Sequence, residues 1–359
     1  MEMKKRLAWL LATLILTMAL PALGEEIPTF DTLGDAGDFL RQQADQGATE
    51  AIFRVADRQS GVDLDHEALL IREMAGVYSV TTYISENQIT AEMTCYPGSR
   101  IYHAAITGDM GALTPEEVDA MYIAWQAAQE AISAGGDDGY LVAKYLHDWL
   151  CAHVDYQAMP EVRPEMPRVC GAVGALVDGR ANCQGYTDAF WLLGKLAGLQ
   201  VRRQSGVSSG EDHSWNALCL EGEWYIMDVT HDDKEGSSAW GYAFMNIGRD
   251  LAGDYEWNEA SNQVDIAANT RNDLWYFSRE GLGFGSAAEL AQYAYEARRD
   301  QGATVVYGAV AWQELDWAAV SDSLKAVADS GSVACAWHVW CDTLGGHSVY
   351  CILWKKWGD

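Results

Sequence analysis

The sequence predicts an α+β protein: a central module of helices leading into an antiparallel hairpin, bracketed by two copies of a small α-β-α-β-β unit. Three observations predict it. The pentapeptide Asp45-Gln46-Gly47-Ala48-Thr49 recurs as Asp300-Gln301-Gly302-Ala303-Thr304, with the same succession of periodic segments around each copy. Between the copies, apolar residues recur at helical spacing over 114–133 and 139–153. Residues 211–229 then alternate in polarity on both sides of Glu221-Gly222, a hairpin signal. The expected divisions are 1–24, 25–110, 111–275 and 276–359.

Taken in chain order, Lys4, Lys5 and Arg6 precede an apolar run, Leu7 to Leu20, that stops at Pro21. Ala22-Leu23-Gly24 offers small residues at a cleavage point, so 1–24 reads as a secretory signal removed before Glu25. An uncleaved anchor is the alternative, but the run is short for a span. The expected location is secreted or extracytoplasmic, at the cell surface or in a periplasm. No stable membrane insertion is expected after cleavage, since no later segment is long and apolar enough. Over the 359 residues the formal charge is -28, and such a surface repels nucleic acid and anionic lipid. A hydrophobic content of 49% with 21% charged residues excludes a disordered chain.

The flanking units (25–110 and 276–359) justify themselves element by element. Helical patterns cover 35–45 and 286–299, the second opened by the capping box Ser286-x-x-Glu289. A short strand follows each. Asp63-Leu64-Asp65-His66 and Glu314-Leu315-Asp316-Trp317 then open second helices. Paired alternating strands close each unit, at 77–84 with 89–95 and at 332–341 with 346–354. In the last pair Val333, Cys335, Trp337, Val339 and Cys341 share one face.

The core (111–275) opens at Thr114-Pro115-Glu116-Glu117, with an N-cap, a proline in the first turn and a glutamate at the third position. That helix stops at Gly135-Gly136. The next carries Leu141, Tyr145, Leu146, Trp149 and Leu150 on one stripe. A polar connector, 157–169, leads to Asp178-Gly179-Arg180-Ala181-Asn182-Cys183-Gln184-Gly185-Tyr186. Behind it Ala189, Phe190, Leu193, Leu196 and Ala197 mark a helix ended by Gly198.

Cys183 therefore sits at a helix N-terminus, where unpaired N–H groups and the positive end of the dipole favour a thiolate and a developing oxyanion. The hairpin offers the base. With Glu221 and Gly222 as the two loop residues, Leu220 faces Glu223 and Trp215 faces Asp228, which puts His213 diagonal to Asp228 on one face. A one-residue slip would separate them. Taken singly, Cys183 reads as a packed thiol and His213 as a strand histidine. Together they supply nucleophile, base and orienting carboxylate. Eight cysteines are present, without a CxxC pair or a tight Cys/His cluster, and no EF-hand pattern occurs. No metal or other cofactor is expected.

The order Cys, His, Asp is that of the transglutaminase-like superfamily, a papain-like cysteine protease group with secreted bacterial members. The stretch 178–190 resembles its Cys-x-Gly-Tyr motif. Residues 212–233 resemble its His-x-Trp-Asn strand, Trp-Tyr-x-x-Asp segment and acidic pair. Tyr145-Leu146-His147-Asp148-Trp149-Leu150 and Val154-Asp155-Tyr156 are also similar, so the likeness spans roughly 139–247. It implies a cysteine-helix core packed on an antiparallel sheet. Cys183 would be the nucleophile, His213 the base and then acid, and Asp228 the orienting group. Gln184, Tyr186, Trp215 and Asn216 are expected to contact a peptide or protein substrate, possibly of the cell envelope. The implied activity is amide attack through a thioester, with transfer to water favoured over transfer to amine. The chain departs from the pattern at His231, where relatives carry Trp, and at Val173, where they carry an aromatic. A degenerate, envelope-associated binding protein that uses the flanking units is the alternative.

Overall fold

The computed structural model describes residues 26–56, 63–159, 166–233, 241–253, 255–257, 269–311, 317–330, 336–344 and 346–355. The expected signal at 1–24, much of the 157–169 connector, Glu314-Leu315-Asp316, Val333 and Cys335 lie outside them. Among the described residues no helix is long and apolar enough to cross a membrane. The chain divides into two compact units, 1–121 and 122–359.

In the first unit β1 (Thr29–Phe30), α1 (Gly37–Asp45), β2 (Glu50–Val55), α2 (Leu64–Ala75), β3 (Ser79–Ser85) and β4 (Gln88–Thr94) build one layer of sheet and one of helix. The strand order is β1-β2-β4-β3, with β1 parallel to β2 and the rest antiparallel. Leu40, Phe53, Ile71, Met74 and Ile89 fill the space between the layers. Asp63 caps α2 by accepting from the Asp65 amide at 3.1 Å. Helices α3 (Pro97–Thr107) and α4 (Pro115–Gly135) follow. The start of α4 is a reciprocal capping box: Thr114 N donates to Glu117 Oε2 at 2.9 Å, and Glu117 N donates to Thr114 Oγ1 at 3.2 Å.

The second unit holds α5 (Gly139–His153), β5 (Asp155–Tyr156), β6 (Arg180–Ala181), α6 (Cys183–Leu196), β7 (Gln200–Ser208), β8 (Glu211–Leu220), β9 (Glu223–Met227), α7 (Val229–Asp232), β10 (Met245–Ile247) and β11 (Tyr255–Glu256). Its five-stranded antiparallel sheet runs β10-β9-β8-β7-β11. Leu220 faces Glu223 and Asn216 faces Met227, the register expected from a two-residue turn. Glu221 and Gly222 both take positive φ, 52° and 85°, as a type I′ turn demands. After α8 (Tyr276–Arg279) come β12 (Gly283–Phe284), α9 (Ala287–Gln301), β13 (Val305–Ala311), α10 (Trp317–Ser330), β14 (Ala336–Leu344) and β15 (His347–Lys355). Their sheet runs β12-β13-β15-β14, again with one parallel pair, β12 with β13, at the edge. In each flanking segment a two-residue strand precedes the first helix. The sequence pattern did not contain it, because two residues carry no periodicity.

Helix α6 is the centre of the second unit. Phe190, Trp191, Leu192 and Leu193 are all buried, at about 1.5–3 kcal/mol for each large side chain removed from water. A helix buried on every side needs polar tethers to set its rotation. Asp188 provides one: its Oδ1 accepts from Arg203 Nε at 3.0 Å and Nη2 at 2.6 Å, and its Oδ2 accepts from Ala172 N at 2.8 Å. The Arg203 guanidinium lies 3.6 Å from the centre of the Trp191 ring. Asn216 Nδ2 donates to Thr187 O at 3.0 Å, tying β8 to the same helix. Gly185 permits close approach, since a Cβ there would sit 2.2 Å from Val169 O.

Replacing Asp188 with Ala removes the carboxylate that accepts from both Nε and Nη2 of the buried Arg203. The expected loss is about 3–5 kcal/mol of unfolding free energy, read by urea denaturation. An effect below about 1 kcal/mol would remove the ion pair from this account.

Candidate active site

The helix start is built by Asn182. Its Oδ1 accepts from Gly185 N at 3.1 Å, its backbone O accepts from Tyr186 N at 3.0 Å, and its Nδ2 donates to Cys170 Sγ at 3.2 Å. Cys183 follows as the first helical residue and is half-buried. The amides of Cys183 and Gln184 open the helix at positions that have no intrahelical acceptor. An oxyanion forming beside the thiol would find these donors at the positive end of the dipole.

His213 projects from β8 and is bonded on both sides. Its Nε2 lies 2.7 Å from Asp228 Oδ2, and Cys183 is among the groups that raise its pKa, which leaves Nδ1 as the ring nitrogen free to serve the sulfur. Asp228, at the end of β9, caps α7 by accepting from His231 N at 3.1 Å. Its Oδ2 further accepts from Tyr255 Oη at 2.6 Å and lies 3.2 Å from His231 Nδ1. The His231 ring is stacked on that of His213, 4.2 Å between centres and 7° from parallel. Trp215 lies 6.0 Å from His213 and meets Tyr255 edge-on at 5.0 Å. Histidine and aspartate thus come together from β8 and the β9–α7 junction, and the cysteine stands at the head of α6.

Burial works against charge on His213, but the Asp228 carboxylate and the hydrogen bonds to Asp228 and Cys183 outweigh it and push the pKa up to about 10. Burial also opposes charge on Asp228. The charges of His213 and His231 and the bonds from His213 and Tyr255 overcome it and hold the carboxyl at about 2.

Of the other residues expected to meet substrate, Gln184 is half-buried and its Oε1 is enclosed with no hydrogen-bond partner. Tyr186, Trp215 and Asn216 are 1%, 1% and 2% exposed. They stand behind the site rather than on its surface. Tyr186 Oη bonds Val154 O and Asp233, and the Asn216 amide is spent on Thr187. In each motif the polar group turned inward because the helix and strand bearing it are enclosed. His147 is fully buried between Asp148 Oδ1 at 3.0 Å and Asp232 Oδ2 at 3.3 Å. Tyr255 was not among the candidates; its two-residue strand leaves no mark in the sequence.

Among the described residues, His213, Asp228 and His231 could ligate a metal, their donor atoms lying within 4.8 Å of one another. The two rings are almost parallel, however, so their in-plane lone pairs cannot converge on one ion until a ring turns. As placed, the three form a hydrogen-bonded system.

The sign of the pH dependence follows. The raised histidine stabilises the fold fully below 6.5 and loses its contribution as pH rises through about 10. The lowered aspartate contributes fully above 3.8 and is lost as pH falls through about 2. Asp228→Asn should therefore fall furthest below the parent between 3.8 and 6.5, by about 3–5 kcal/mol in urea unfolding, with the gap closing towards both extremes. A gap independent of pH would mean the pair is not ionic.

Residues 126–229 match the transglutaminase-like superfamily. Kyphoscoliosis peptidase from Homo sapiens is 32% identical over 94 residues, and that from Mus musculus is 34% identical over 95. Each match covers 23% of this chain and 14% of the relative, so only a small part of either relative is spanned. The crystal structure of a TGase is similar at a TM-score of 0.30 and 10% identity, over 52% of this chain and 53% of that one. The chain is a mixed α+β protein that carries a transglutaminase-like superfamily domain.

Proposed function

We propose that the chain is a secreted thiol-dependent hydrolase or acyltransferase acting on peptide or isopeptide bonds, with Cys183, His213 and Asp228 as its catalytic residues. The observation that carries this reading is the 2.7 Å contact between His213 Nε2 and Asp228 Oδ2, with a cysteine at the head of α6 that acts on the same imidazole. The superfamily match over 126–229 supports the reaction class.

The Cys183 sulfur, with its proton already held on His213 Nδ1, attacks the amide carbonyl carbon. A C–S bond forms, and the carbonyl pair moves to oxygen, which faces the open amides at the start of α6. Collapse breaks the C–N bond, and the imidazolium returns its proton to the departing amine. The thioester is resolved when His213 takes a proton from the incoming nucleophile and the sulfur leaves. Asp228 keeps Nε2 protonated, so Nδ1 stays in the role of base. Gln184 is the rim residue assigned to substrate. We assign the flanking segments to two copies of one unit, on their repeated pentapeptide and common strand order, and assign them a role in engaging a protein partner of the envelope.

Cys183→Ala should abolish both labelling by an electrophilic amide probe and amide cleavage, at least 10³-fold on the order of magnitude for loss of a nucleophile. Mass mapping of the tag checks the residue. Carboxylate product marks transfer to water; ammonia release with amine incorporation marks transfer to amine. Unchanged labelling in the variant ends this reading.

A further inference from the structure

Beside the candidate site lies a second polar assembly that the reaction above does not use. Tyr186 stands one turn into α6, so its position is rigidly linked to that of Cys183. Its hydroxyl contacts Asp233 Oδ2 and lies 2.8 Å from Val154 O. Asp233 follows α7 directly, and its amide donates to Val229 O at 2.9 Å. Its neighbour Asp232 accepts from Phe244 N at 3.1 and 3.2 Å on its two oxygens and meets His147. Phe244 O in turn accepts from Asp228 N at 3.1 Å. The nucleophile's helix and the carboxylate's turn are thus joined by a route that bypasses the imidazole.

We propose that Tyr186 and Asp233 are positioning residues: their hydrogen bond clamps α6 to the 228–233 turn and sets the distance between the Cys183 sulfur and the imidazole that Asp228 holds. The inference rests on the catalytic reading above. Its physical ground is sensitivity to placement, since a shift of about 1 Å between reacting groups can cost about 10²-fold in rate.

Proton counting shows that the clamp holds in either state of Asp233. As a carboxylate, Asp233 receives the Tyr186 hydrogen. As a carboxylic acid it donates to Tyr186 Oη, and the hydroxyl turns to Val154 O. Burial, with smaller contributions from Asp155 and Asp232, raises the Asp233 carboxyl to about 6, so both states are within reach. The hydrogen bond, not the charge, does the holding.

Iodoacetamide alkylation of Cys183 in the full chain tests this without a known substrate. The readout is the ratio of alkylation rates at about pH 5.5 and about pH 9, because alkylation at the lower pH requires the imidazole partner. Tyr186→Phe and Asp233→Ala should each lower the ratio about tenfold or more, with the circular dichroism of the parent. Asp233→Asn, which keeps an acceptor for the hydroxyl, should stay within about twofold of the parent. A parental ratio in folded Tyr186→Phe overturns the clamp; so does an Asp233→Asn loss as large as that of Asp233→Ala. If Tyr186→Phe does not fold, the comparison of Asn with Ala at 233 decides. A parent whose ratio already equals that of His213→Ala overturns the catalytic reading instead.

Discussion

The buried carboxylate of Asp228 is the constraint around which the second unit is organised. A charge this enclosed costs several kcal/mol to remove from water. Three donors face it, His213 Nε2, Tyr255 Oη and the His231 amide, with His231 Nδ1 3.2 Å away. Hydrogen bonds to a charged group contribute about 1.5–3 kcal/mol each, so the set is of the size needed to offset the burial. Each donor comes from a different place in the fold, and each must be in position for the carboxylate to remain ionised. That is why β11, only two residues long, matters more than its length suggests: it carries Tyr255.

Local rules and long-range packing divide the work of placing the three proposed catalytic residues. The position of Cys183 is local, set by Asn182 capping the helix behind it. The relation of His213 to Asp228 is semi-local, set by a two-residue turn whose positive φ angles fix the register of β8 against β9. Only the approach of thiol to imidazole is tertiary. It depends on α6 lying on the sheet at one rotation, which Asp188, Arg203 and Asn216 enforce. The helix contributes apolar surface on every side, so the ion pair adds uniqueness of orientation more than attraction.

The same division explains what could be read beforehand. The starts of α4 and α5, the cysteine at the head of α6 and the hairpin register were legible, because capping, helical period and turn chemistry act over a few residues. The two-residue strands β1, β11 and β12 were not, because alternation needs more length. Nor could the motifs show which polar side chains turn inward. Tyr186 and Asn216 sit close in sequence to the candidate site residues, but helical and strand geometry turn them away from His213, while Trp215 shares the face of His213 and is covered there. His231 was visible as a departure from a tryptophan pattern. Its stacking on His213 and its share of Asp228 required the turn of α7 to be in place.

The six residues 228–233 serve both polar systems, and their local structure explains how. Asp228 caps the short helix with its side chain while its own amide is held by Phe244 O. Asp232 and Asp233 close the helical turn through Asp228 O and Val229 O, at 3.3 and 2.9 Å. Their side chains then point away from the triad, into His147 and Tyr186. One helical turn separates a carboxylate facing His213 from two carboxyl groups facing His147 and Tyr186. A helix of four residues has little stability alone. Its order here comes from being bonded at both faces, to His213 through Asp228 and to Phe244 and Tyr186 through Asp232 and Asp233.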